Sequence, residues 1–83
     1  MPRYNLDGAD LRTVSLRVYD RFGGSTDTHI GRLALELARL SIWFAVEPEP
    51  DDWYVVTVKY DAENKLRDLV NTVQFLAVEE VND

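Results

Sequence analysis

Proton-transfer and nucleophilic catalysis need a base held within reach of the group it serves, and this chain has a single histidine, His29, with Asp27 two residues before it. That pair is too close in sequence to be diagnostic, and no Ser, His and Asp arrangement can be assembled around it. With no cysteine there is no thiolate nucleophile, no zinc ribbon and no disulfide framework. His29 and Asp27 supply two metal ligands at most. The acids Glu47, Glu49, Asp51 and Asp52 lack the glycine and the spacing of a calcium loop. The expectation is therefore a protein that is not an enzyme, with no catalytic residue, no metal and no cofactor.

Three features could bind rather than react. The first is the loop Asp20-Arg21-Phe22-Gly23-Gly24-Ser25-Thr26-Asp27, in which two glycines free the backbone ahead of a helix whose first N–H groups can face a carboxylate or phosphate. Asp20, Gly23, Gly24, Ser25 and Thr26 are its candidate ligand-binding residues, and the missing lysine rules out a Walker A loop. The second is Glu47-Pro48-Glu49-Pro50-Asp51-Asp52, a stiff acidic tip suited to a basic groove, its prolines lowering the entropy lost on docking. The third is a sheet face carrying Arg17, Tyr19, Trp43, Val55, Thr57 and Lys59, suited to a protein partner or to a second copy of the chain. Candidate partner-binding residues are Glu47, Glu49, Asp51, Asp52, Trp43 and Tyr19.

The elements that must position these residues follow from periodicity. Residues 1–10, with Pro2 and Asp7-Gly8, form an N-terminal arm or a short extra strand, and 11–83 form one domain. Leu11 to Tyr19 alternates, with Val14, Leu16 and Val18 on one face, which predicts a strand buried on one side. Ile30, Leu33, Ala34, Leu37 and Leu40 recur at helical spacing behind the capping residues Ser25 to Thr28. Ile42–Val46 and Trp53–Tyr60 are β-branched and aromatic, a hairpin whose acidic connection continues neither strand. Asp61 is expected to cap a second helix with Leu66, Leu69, Val70 and Val73 on its apolar face; residues 77–82 either extend it or return as a short final strand. The order βαββα, with or without that strand, predicts an α+β ferredoxin-like two-layer sandwich: an antiparallel sheet with two helices on one face.

Composition bounds the function class. Eighty-three residues with 46% hydrophobic and 29% charged side chains suit one globular core, small enough for association to matter to its stability. The net charge of −6 is uneven: residues 1–40 carry six arginines against five acids, residues 41–83 three cations against ten acids. Such a surface repels a phosphate backbone and favours a basic protein, so direct nucleic-acid binding is not expected. The longest apolar stretch, Leu33 to Val46, is broken by Glu36 and Arg39, and the first residues lack the pattern of a signal peptide, so a cytoplasmic protein off the membrane is expected.

The stretch Val18-Tyr19-Asp20-Arg21-Phe22-Gly23-Gly24 ahead of Ile30 to Ile42, with Lys65-Leu66-Arg67-Asp68-Leu69-Val70 leading through Phe75-Leu76 to Val78 and Val81, resembles the ACT domain, a small regulatory module of amino-acid metabolism. Standalone members such as small subunits of acetolactate synthase are similar in length. The resemblance implies a non-catalytic, dimerising domain that binds a small amino-acid-like ligand near Asp20, Gly23, Gly24, Ser25 and Thr26 and modulates a partner enzyme. The alternative from charge is a small acidic inhibitor, of the anti-defence or anti-CRISPR type that phages use, occluding a basic nucleic-acid-binding surface.

Overall fold

The structure, a computed structural model, describes residues 12–22, 26–73 and 76–81. The N-terminal arm and the segment Gly23-Gly24-Ser25 lie outside the described residues, and so does the side chain of Thr26. The elements run β1 (Thr13–Asp20), α1 (Thr26–Arg39), β2 (Phe44–Glu49), β3 (Trp53–Lys59), α2 (Glu63–Thr72) and β4 (Leu76–Glu80). They make a small α+β fold with a four-stranded antiparallel sheet in the order β2-β3-β1-β4.

Alternation places Leu16 and Val18 of β1 and Val56 and Val58 of β3 on one sheet face, where all four are buried. Ile30, Leu33 and Leu37 of α1 and Leu66 and Val70 of α2 join them in one core, each helix contributing residues at helical spacing. A fully buried Leu or Val is worth about 1.5–3 kcal/mol over its exposed state, so this cluster is the main source of stability. The residues of opposite parity, Ser15, Arg17, Tyr19, Trp53, Val55, Thr57 and Lys59, form the other face.

Where α1 ends, the structure departs from the expected pattern. Ser41 adopts a left-handed φ of 59°, its N–H donates to Ala38 O at 3.0 Å, and the Ile42 N–H donates to Leu37 O at 3.0 Å. This is a Schellman closure, which satisfies helix carbonyls and turns the chain back. It leaves Leu40 outside the apolar face at 48% exposure and spends Ile42 on the helix end, packed against the core, so the strand starts at Phe44 instead.

The acidic connection also differs from expectation, because Glu47, Pro48 and Glu49 remain in β2, paired with Val55, Tyr54 and Trp53. β2 is an edge strand, and there a proline's missing N–H breaks no second ladder. The true tip is the 3-10 turn Pro50–Asp52, with φ of 66° at Asp51 and 63° at Asp52. Aspartate is among the few non-glycine residues that tolerate this region, and positive φ matches the twist of the flanking strands.

Tyr60–Ala62 form another 3-10 turn, so Tyr60 leaves the sheet and Asp61 caps nothing. The first helical donor is satisfied instead by the turn itself, the Glu63 N–H donating to Tyr60 O. After α2 the Val73 N–H donates to Leu69 O, and the chain returns as β4, the short final strand, with Leu76 fully buried. The Arg21 Nη2 donates to Leu76 O at 2.7 Å and ties the ends of β1 and β4 together.

Candidate functional site

The outer sheet face is built from adjacent registers. One step beyond the Val18–Tyr54 pair, Tyr19 and Trp53 stand side by side with ring centroids 4.2 Å apart and planes tilted by 32°. Arg17, the next outward residue of β1, lies under both neighbours' influence: its Nε donates to Glu49 Oε1 at 3.0 Å, its Nη1 is 3.8 Å from Glu79, and its guanidinium sits 5.7 Å from the Trp53 ring. One cation is thus held between carboxylates of β2 and β4 against an aromatic plane. Farther along, Ser15 and Thr57 share a 2.7 Å hydrogen bond, and the Lys59 ammonium lies 5.8 Å from the ring of Trp43.

The expected partner-binding residues divide accordingly. Tyr19, Glu47 and Glu49 lie on this face, Asp51 and Asp52 form its hairpin end, and Trp43 precedes β2, 53% exposed, beside Lys59. Among the described residues, Glu49 and Glu79 are the acids of the face that pair, while no ion pair engages Glu47, Asp51 or Asp52. Trp53 and Glu79 were not among the expected residues. Strict alternation from Val55 back to Trp53 carries the first signal; Glu79 has none without β4.

The candidate ligand loop is anchored by its own aspartate. Asp20 ends β1 on the core side, and its carboxylate, only 4% exposed, accepts from the Phe22 N–H at Oδ1 and from His29 Nδ1 at Oδ2, both at 2.9 Å. A buried carboxylate without such donors would be costly, so the two bonds explain its position. They also fix both flanks of the Gly23-Gly24-Ser25 segment: the strand exit at Phe22 and the first turn of α1 at His29. Asp20 is therefore engaged inside the fold, and Gly23, Gly24 and Ser25 lie outside the described residues.

A third place, a groove of about 190 Å³ between β1, the start of α2 and the end of β4, contains Arg67. Its guanidinium is taken up by Glu63 at 2.9 Å and Glu80 at 3.4 Å, so the groove offers an anion no uncompensated charge. Among the described residues no three His, Cys, Asp or Glu side chains converge as metal ligands, and no helix is long and apolar enough to cross a membrane. Compared with protein-family models and with curated proteins, the chain matches none.

Proposed function

We propose that this chain is a non-catalytic interaction domain that binds a protein partner through its outer sheet face. The observation that carries the proposal is the Tyr19–Trp53 pair with Arg17 beside it, large side chains on a face that no described element covers. Aromatic side chains with a fixed polar neighbour supply much of the binding energy in protein interfaces. The strand order β2-β3-β1-β4 and the recruitment of both helices to one core support reading the fold as a ferredoxin-like two-layer sandwich, which leaves its second sheet face for contact. Affinity capture from the producing cells provides the test, with wild type, Trp53→Ala and the α1 surface variant Leu35→Ala as baits. A specific partner should be retained by the first and third and lost by the second; retention by all three would remove the face from the account.

A second reading, an ACT-like regulatory domain with an amino-acid-like ligand at residues 20–27, draws support from Asp20, whose two hydrogen bonds hold the flanks of the Gly-Gly segment in place. Calorimetry against the common amino acids tests it. Saturable heat that disappears with Gly24→Val would favour it, and absence of heat would set it aside.

A further inference from the structure

Building on the outer sheet face as the contact surface, we infer that its partner is a cationic protein surface whose arginine side chains lie against Tyr19 and Trp53 and between the acids of β2 and the hairpin turn. Two observations lead there. First, the molecule already holds one guanidinium in this manner: Arg17 is bonded to Glu49 and lies beside the Trp53 ring. Planar, weakly hydrated guanidinium suits such a site better than ammonium does. Second, Arg17 compensates Glu49 and Glu79, and among the described residues no ion pair engages Glu47, Asp51 or Asp52 of the face and its hairpin end. That surplus selects a cationic partner and disfavours a second copy, which would set the same surplus against itself. The turn bearing Asp51 and Asp52 is held by Pro50, so little ordering is needed on docking.

The probe is an oligoarginine peptide, with an oligocitrulline peptide of the same length as its neutral isostere. The full chain carrying Trp43→Phe is used, in which Trp53 is the remaining tryptophan and reports by fluorescence. Oligoarginine should change Trp53 emission saturably, and oligocitrulline should not. Combining Glu47→Gln with Asp52→Asn should weaken binding roughly tenfold, while Asp68→Asn on α2 should leave it unchanged. Equal loss with Asp68→Asn would mean diffuse attraction to an acidic molecule and overturn the inference. Equal binding of oligocitrulline, or a Trp53 signal that follows protein concentration alone, would also overturn the cationic partner while leaving the face as a contact surface. Oligoarginine binding to which Trp53 is silent would overturn both.

Discussion

At the scale of single residues, the least expected feature is the Asp20–His29 contact. In sequence His29 has only Asp27 near it, yet its side chain is only 19% exposed and its Nδ1 donates to the buried carboxylate of Asp20. The two lie nine positions apart on different elements, the end of β1 and the first turn of α1, a pairing that no periodicity encodes. His29→Ala leaves Asp20 with the Phe22 N–H as its described donor. The expected cost is about 1–3 kcal/mol in urea denaturation, the penalty for a buried polar group that loses a partner. Asp20→Asn combined with His29→Ala should cost less than the two single changes added together, because the pair acts as one unit.

Among the elements, those with long, clean periodicity were legible: β1, α1, β3 and α2 all lie where alternation or helical spacing puts them. The boundaries were not, because each is decided by backbone hydrogen bonding that hydropathy does not see. Ile42 has strand composition but serves the Schellman closure of α1, and Pro48 reads as a strand breaker but is harmless at a sheet edge. Ser41 occupies a left-handed position that glycine adopts without steric cost, so Ser41→Gly should raise stability by about 0.5–1 kcal/mol, read as a higher denaturation midpoint with unchanged slope. β4 was ambiguous because Leu76–Glu80 is short and ends in two glutamates. Its place in the core gives a direct check: Leu76→Ala should cost about 2–5 kcal/mol, whereas a residue at a fraying helix end would cost far less.

For the molecule as a whole, the uneven charge read from sequence becomes an arrangement in space. β2 and the hairpin turn bring Glu47, Glu49, Asp51 and Asp52 to one edge of the outer face, and Glu79 of β4 reaches Arg17 from the other side. The sequence placed Tyr19 and the acids in two separate candidate surfaces, one for the sheet and one for the tip. Extending β2 through Pro48 merges them, since Glu47 and Glu49 belong to the same face as Tyr19 and Trp53. Asp20 belongs to the opposite side of the sheet, with its carboxylate turned into the core. Association through the sheet face is the central claim, and hydroxyl-radical footprinting of the chain in extract from the producing cells, compared with dilute buffer, tests it most directly. Protection at Tyr19 and Trp53 with Leu35 unchanged is the expected result; protection confined to the helices, or none anywhere, would contradict it.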